Sequence, residues 1–188
     1  MAPRKDPISR KRSGSLVRFE HIDTSLIEQY LKHVDSFKCM GCWRFCQKLQ
    51  GRHLKVSRDF VRNYKEGKTL VGPIEIQLTI DFIAEVTEIP RSGELWFKAK
   101  KLEKEDRCQD MLKHEFKKVD LIKGVTRSWL LEEYEKLLFM IQRFFTCEGR
   151  YSWILHYHFK LLLHFTRKKE IDLSYFLFMS LQRMISRT

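Results

Sequence analysis

The sequence predicts a mainly α-helical protein: a helical domain with one small β element and a disordered basic N-terminal tail. Three observations support this fold class. Apolar residues recur at helical spacing in the C-terminal third, one short stretch alternates polar and apolar residues, and the first segment is rich in cations and proline. Hydrophobic residues make up 43% of the 188 residues, which is enough to fill a core. We therefore expect a tail over residues 1–18 and a single mostly helical domain over residues 19–188.

The tail combines many cations with prolines, serines and a glycine, and its only acidic residue is Asp6. Its cations are Arg4, Lys5, Arg10, Lys11, Arg12 and Arg18. A segment of this composition has too little apolar surface to fold alone. The run "SRKR" at 9–12 predicts a nuclear-import signal or a phosphate-binding arm, the alternative being a solvated tail without a receptor. We expect nuclear accumulation, with the cytoplasm as the alternative location.

The whole chain is strongly basic, with a formal net charge of +12 and a pI near 9.6. Such a surplus favours polyanionic partners, either nucleic acid or an anionic membrane surface. The most apolar stretch, "YSWILHYHFKLLLHF", is interrupted by histidines and a lysine and falls short of the ~20 apolar residues of a spanning helix. We therefore predict no membrane partner. The odd cysteine count and the absence of an apolar N-terminal run indicate reduced thiols.

The first predicted helix runs from about Ser25 to Leu49. Apolar residues recur there at intervals of three and four, which is typical of an amphipathic helix. Gly41 lies inside this segment and provides an alternative, in which two helices replace one.

The same segment contains three cysteines, Cys39, Cys42 and Cys46, followed by His53. On a continuous helix the three thiols would share one side, and a buried free cysteine behaves as a small hydrophobic residue. The alternative is a structural zinc site built from these four ligands. No second compact cysteine pair follows, so we favour helix packing and predict neither a metal nor a cofactor.

The middle of the chain predicts one strand and one helix. Ile74, Ile76 and Leu78 alternate with polar residues, which indicates a strand with one buried face. Thr79 is the predicted N-cap of a helix that ends before Pro90. Residues 98–123 carry interspersed charges of both signs and predict an exposed helical or loose connector, the alternative being a phosphate-contact surface.

Three more helices are predicted in the C-terminal third, the first capped by Thr126 or Ser128, the next by Ser152 and the last opened by Ser174. The last helix is apolar almost all round, so it must be covered on several sides. Its predicted partner contacts are Phe178, Leu181, Met184 and Ile185. The chain stops soon after this helix, so we expect a truncated architecture in which residues 174–187 self-associate or bind a protein partner.

Sequence motifs of catalysis are absent: the chain has no phosphate-binding loop, nucleophile elbow or H-E-x-x-H helix. His156 and His158 are two residues apart and point to different sides of a helix, which favours satisfied helix histidines over a shared metal. We predict that the protein is not an enzyme and has no catalytic residues.

Two stretches resemble proteins of plant mobile elements. The first resembles the opening unit of the plant mobile domain, which occurs in plant transposons, retrotransposon-encoded proteins and their domesticated relatives, and the second is similar to putative plant transposon or retrotransposon-type open reading frames. The first is "GPIEIQLTIDFIAEVTEIPRSGELWF". The second is "EKLLFMIQRFFTCEGRYSWILHYHFKLLLHFTRKKEIDLSYFLFMSLQRM". The resemblance covers roughly residues 52–185. It implies a mostly helical domain linked to transcriptional silencing, genome maintenance or element mobility, and it supplies no agreed catalytic residues.

Two functions follow as expectations. The first is a non-enzymatic nuclear interaction module of mobile-element origin that binds nucleic acid or chromatin and regulatory partners. The alternative is a Gag-like structural protein that self-associates and does not bind specific nucleic-acid sequences.

Overall fold

The structure is a computed structural model, and it describes residues 34–49, 54–96, 109–114, 125–146 and 153–186. Some residues singled out from the sequence lie outside these ranges. They are Arg4, Lys5, Arg10, Lys11, Arg12 and Arg18 of the tail, His53, Ser152 and the predicted helix start at 25–33.

The fold class is confirmed, because the described residues form a mainly α-helical structure with small β elements. The seven α-helices within these ranges are α1 (Val34–Cys39), α2 (Trp43–Lys48), α3 (Leu54–Arg62), α4 (Ile80–Thr87), α5 (Glu132–Phe145), α6 (His156–Arg167) and α7 (Leu173–Ile185).

The strands within the described residues form two short antiparallel pairs. A hairpin pairs β1 (Lys68–Val71) with β2 (Ile74–Gln77), and a two-residue pairing joins β3 (Val125–Thr126) to β4 (Trp153–Ile154). The predicted strand is therefore present as β2. Its expected buried face forms only at one end: Leu78, directly after β2, is 4% exposed, whereas Ile74 at the hairpin turn is 62% exposed. The partner strand β1 reads Lys-Thr-Leu-Val and ends in two consecutive apolar residues, so it lacks the alternation of β2, and the two-residue β3–β4 pair is too short to show a pattern.

The core lies where α1 meets α5 and α6. The ring of Phe37 on α1 is fully buried, with its centroid 4.8 Å from that of Phe165 on α6 and 6.5 Å from that of Phe145 on α5. The rings of Phe145 and Phe165 themselves lie 5.7 Å apart. This aromatic cluster joins α1 to two helices whose contacting rings lie more than 100 residues further along the chain.

The break at Gly41 is confirmed, so two helices replace the single predicted one within the described part of that segment. Gly41 has φ +67°, a conformation that residues with a Cβ rarely adopt. A Cβ at this position would also lie 2.7 Å from Cγ of Pro90. The turn between α1 and α2 thus needs glycine for both its backbone and its close packing.

The N-cap of α4 is confirmed, since the Phe82 backbone N–H donates to Thr79 Oγ1 at 3.0 Å. The helix ends at Thr87, and Glu88 follows in the left-handed region with φ 58°. Helix α4 packs against α7, and the Ser174 hydroxyl donates to the carbonyl of Ile89 at 3.1 Å.

Other predicted caps are wrong. Thr126 and Ser128 precede α5 and share a hydrogen bond of 3.1 Å, so neither caps the helix, which begins at Glu132. The cap of α7 is Asp172, which accepts from the Tyr175 backbone N–H at 2.8 Å. Ser174 is instead drawn into the long-range bond with Ile89 described above. At Ser174 a long-range hydrogen bond therefore takes the place of the predicted cap, whereas the bond between Thr126 and Ser128 is local.

The predicted exposed connector is also wrong in its one described part, residues 109–114. Met111 and Leu112 are 4% and 1% exposed. Leu112 forms an antiparallel bridge with Leu130, and the Leu131 backbone N–H donates to Met111 at 2.8 Å. The two apolar residues anchor this stretch in front of α5, although charged residues surround them in the sequence.

None of the helices in the described ranges combines the length and apolar character that crossing a bilayer requires.

Candidate nucleic-acid interface

The cysteine cluster does not form the single buried side expected from its spacing. Cys42 and Cys46 are buried, whereas Cys39 is exposed, because the break at Gly41 changes the chain direction between them. The Cys42 thiol donates to the Phe37 carbonyl at 3.5 Å. Burial, together with the neighbouring Cys42, raises the pKa of Cys46, so this thiol is held in its neutral form.

Within the part of the chain that the structure describes, no three His, Cys, Asp or Glu side chains converge in a way that could hold a metal ion. The zinc set suggested by spacing cannot be assembled from its described members alone, since Cys39 points to solvent while Cys42 and Cys46 pack into the core.

The predicted partner-contact residues of α7 are half-buried. Phe178, Leu181 and Ile185 pack against the core, and Met184 is also only partly exposed. The apolar area that α7 presents to solvent is therefore smaller than the sequence indicates, because other helices cover part of this side. Arg183 on the same helix also places its guanidinium 5.3 Å from the ring centroid of Tyr157.

The histidines expected to be satisfied helix residues include His158, which is buried in α6. Its Nδ1 lies 3.0 Å from Nε2 of Gln142 and accepts from the Leu155 backbone N–H at 3.3 Å. Both contacts use Nδ1 as an acceptor, which places the ring proton on Nε2. His158 thus acts in helix packing, as the sequence indicates, and the side chain of His156 lies outside the described part.

The strongest surface feature is a group of cations on α3 and on the turn that follows it. We call it the basic surface and define it as Lys55, Arg58, Arg62, Lys65 and Lys68, all of which are exposed. The three cations of α3 are spaced three and four residues apart, so they lie on one side of the helix. The opposite side packs inward through the half-buried Phe60, which contacts the core.

A tight turn connects α3 to the hairpin and carries the last two cations of the basic surface. The backbones of Lys65 and Lys68 exchange two hydrogen bonds of 2.8 and 2.9 Å. Between them, Glu66 and Gly67 have φ 51° and 84°, and positive φ at both central residues is what a type I′ turn requires. The turn therefore fixes the direction in which the hairpin leaves the helix.

Two side-chain hydrogen bonds hold the helix on the hairpin. The buried Thr69 hydroxyl donates to the Phe60 carbonyl at 2.6 Å, and Asn63 Nδ2 donates to the Leu70 carbonyl at 2.7 Å. Tyr64 in turn accepts a hydrogen bond from Gln182 of α7 through its hydroxyl. These contacts make α3 and the hairpin one unit with a fixed position beside α7.

Ion pairing distinguishes the basic surface from most other cations. Within the described residues, Lys55, Arg58, Arg62 and Lys65 form no ion pair, and only Lys68 is paired, with Glu75 at 3.0 Å. Most other described cations have carboxylate partners. The paired ones include Arg44, Lys48, Arg91, Arg127, Lys136, Lys160 and Lys169. Four of the five cations of the basic surface therefore present positive charge that no ion pair among the described residues neutralises.

Sequence reasoning assigned nucleic-acid contacts to the tail and missed the basic surface. The signal was present, because Lys55, Arg58 and Arg62 have the same three-and-four spacing that was used to find apolar helix faces. Applying that periodicity to cations as well as to apolar residues would have found it.

The fold and this surface define a class of protein: a mainly α-helical domain with an exposed basic helix–hairpin unit. Comparison with protein-family models, with curated proteins and with solved structures finds no match for the chain.

Proposed function

We propose that this protein is a non-enzymatic nuclear module that binds nucleic acid through the phosphates, with the basic surface as its main contact. The observation that carries the proposal is the set of exposed cations on α3 and its turn that have no carboxylate partner among the described residues. The net charge of +12 supports the same reading. A mobile-element origin is proposed from the resemblance to the plant mobile domain, and the nuclear location from the basic run at 10–12.

The geometry of α3 suits a duplex backbone. Lys55 and Arg62 are seven residues apart, which corresponds to about 10.5 Å along a helix axis. Double-stranded DNA carries one negative charge per roughly 1.7 Å of its axis, so a segment of that length presents about six phosphate charges. Exposed lysine and arginine side chains on one side of a helix can contact several of them without base-specific hydrogen bonds. We therefore expect binding that depends on charge more than on sequence.

Reversing two charges of the basic surface tests this proposal. The double variant Arg58→Glu/Arg62→Glu should bind a short DNA duplex more weakly. The slope of log affinity against log salt should also become shallower, because about two phosphate contacts are lost and each contributes roughly 0.9 to the slope. Fluorescence anisotropy across a salt series measures both quantities.

The matched control is Lys38→Glu/Lys168→Glu, which removes the same formal charge from exposed positions on α1 and after α6. It should leave the salt slope close to that of the wild type. Equal losses in the two double variants would show that net charge, and not the basic surface, determines binding. Circular dichroism of both variants checks that the fold is retained.

A second candidate function is self-association through the partner-contact side of α7. It is favoured by the apolar side chains that remain half-exposed there, namely Phe178, Leu181, Met184 and Ile185. Each large apolar side chain that moves from water into an interface contributes up to about 1.5–3 kcal/mol. This drive does not depend on phosphate contacts and is insensitive to moderate salt.

Light scattering across protein concentrations and salt separates the two functions. If α7 mediates association, Phe178→Glu/Met184→Glu should shift the wild-type oligomer to monomer, while Val86→Glu, at a 62% exposed site on α4, should not. Unfolding of the α7 variant would show instead that these side chains belong to the monomer core. A wild-type protein that is monodisperse and monomeric at high concentration contradicts self-association.

A further inference from the structure

The segment 93–96 is attached to the turn between α6 and α7. The Glu94 backbone N–H donates to the Glu170 carbonyl at 3.3 Å, and the Asp172 backbone N–H donates to the Glu94 carbonyl at 3.1 Å. Gly93 sits so close to this turn that a Cβ would meet Glu170 at 2.5 Å. We call residues 93–96 and 169–172 the clasp.

A buried histidine of α6 completes the clasp. The Trp96 indole N–H donates to Nε2 of His164 at 3.1 Å, and Nδ1 of His164 lies 3.0 Å from the Lys169 carbonyl. An indole N–H can only donate and a carbonyl can only accept. The two contacts therefore require a neutral imidazole with its proton on Nδ1 and a free lone pair on Nε2.

A second proton has no place in this arrangement. Protonation at Nε2 would oppose its N–H to the indole N–H of Trp96, so that hydrogen bond would be replaced by a repulsive contact. The Trp96 ring also packs edge-on against the Phe176 ring of α7, with centroids 5.6 Å apart. The hydrogen bond to His164 therefore sets the direction of the indole N–H.

The charged groups around His164 come from each part of the clasp and from α6. Lys160 lies over the Trp96 ring at 5.1 Å and 3.7 Å from a carboxylate oxygen of Glu94. Lys169 lies 3.3 Å from the other oxygen of Glu94. Burial lowers the pKa of His164, and the charges of Lys169 and Lys160 act in the same direction, whereas the Lys169 carbonyl and Glu94 oppose them.

The same lysines hold the Glu94 carboxylate in its charged form. Burial opposes ionisation of Glu94, but its hydrogen bond with Lys169 and the nearby charges of Lys160 and Lys169 together lower its pKa. Glu94 therefore carries its negative charge in the closed clasp near neutral pH. The ionised Glu94 side chain pairs with Lys160 and Lys169 and so neutralises two cations beside the clasp.

We propose that the clasp is a proton-sensitive latch in which His164 is the switch. In its neutral form His164 accepts from Trp96 and holds segment 93–96 against α6 and the α6–α7 turn. On protonation the Trp96 bond is lost and a third cation appears beside Lys160 and Lys169, so segment 93–96 is released. Release withdraws Glu94 from both lysines and leaves a cluster of positive charge on this side of the molecule.

The direction of the pH dependence follows from the neutral form being favoured in the closed clasp. Above the pKa of an unconstrained histidine, near 6.5, the contribution of His164 to stability is fully present. It is lost as the pH falls from there through the lowered pKa of His164 in the folded protein, because the open form binds the proton more readily.

Nuclear magnetic resonance of the indole N–H groups tests the latch on the full chain. Between pH 8 and pH 4.5, the Trp96 signal, assigned with Trp96→Phe, should undergo one transition with a midpoint below about 6.5. His164→Gln should abolish this transition, because the amide oxygen can accept from Trp96 without titrating. The control His114→Gln, at an exposed position, should preserve it.

A Trp96 signal that does not change, or a transition that survives in His164→Gln, overturns the latch. If His164→Gln does not fold, the ring nitrogens of the wild-type His164 decide the question. At pH 8 Nε2 must be the unprotonated nitrogen and Nδ1 the protonated one, and both must be protonated below the transition. The opposite tautomer at pH 8 would also exclude the proposal.

Discussion

Replacing Phe37 by alanine should lower the free energy of unfolding by about 3–5 kcal/mol, the range for truncating a fully buried phenylalanine. Phe37 has no exposed surface and connects α1 to α5 and α6 through Phe145 and Phe165. Its ring also contacts Trp43 of α2, with centroids 6.3 Å apart. Removing it leaves a cavity at the centre of the aromatic cluster. Urea unfolding followed by far-ultraviolet circular dichroism measures the loss.

The control is Phe82→Ala, which removes the same ring from a half-buried position on α4. Its cost should be clearly smaller, because less surface returns to water and solvent can fill the space. If the two variants lose equal stability, α1 does not pack into the core as described. If Phe37→Ala alone unfolds the protein, Phe37→Leu leaves a smaller cavity and should still cost more stability than the change at Phe82.

Replacing Gly93 by alanine should have the second largest effect. Gly93 has φ +89°, and an added Cβ would lie 2.5–2.6 Å from the backbone of Glu170 and Ile171. These neighbours are main-chain atoms held by the clasp hydrogen bonds, so they cannot rotate away as a flexible side chain would. The variant should therefore lose stability from strained backbone and from overpacking, together about 2–5 kcal/mol.

Gly72→Ala separates these two contributions. Gly72 also has positive φ, +59°, but no atom lies within 4 Å of its added Cβ. Its variant should show only the backbone cost of about 1–2 kcal/mol. Thermal or urea unfolding of both variants gives the difference, which we assign to contact between Gly93 and the α6–α7 turn. Equal losses at the two glycines would contradict the close approach in the clasp.

Local patterns in the sequence predict much of the helical architecture. The spacing of apolar residues indicates the helices of the C-terminal third, Thr79 indicates the start of α4, and Gly41 indicates the break between α1 and α2. These features depend on residues within one or two turns of each other, so a short window of sequence contains the whole signal.

The candidate site was less accessible to sequence reasoning. The cations of α3 have a helical spacing, but their lack of ion partners depends on which carboxylates the fold brings near them. Lys48, for example, is neutralised by Glu88, 40 residues away, whereas Arg58 and Arg62 meet no carboxylate in the described residues. The sequence contains both kinds of cation and does not distinguish them.

The sequence by itself determined the helical class, the β2 strand, the Thr79 cap and the net positive charge. Tertiary structure alone decided that Cys39 is exposed, that Asp172 and not Ser174 caps α7, and that His164 accepts from Trp96, 68 residues away. The physical reason is the range of the interactions. Helix formation and capping act between residues close in sequence, whereas burial, ion pairing and the tautomer of a histidine depend on groups that only the folded chain brings together.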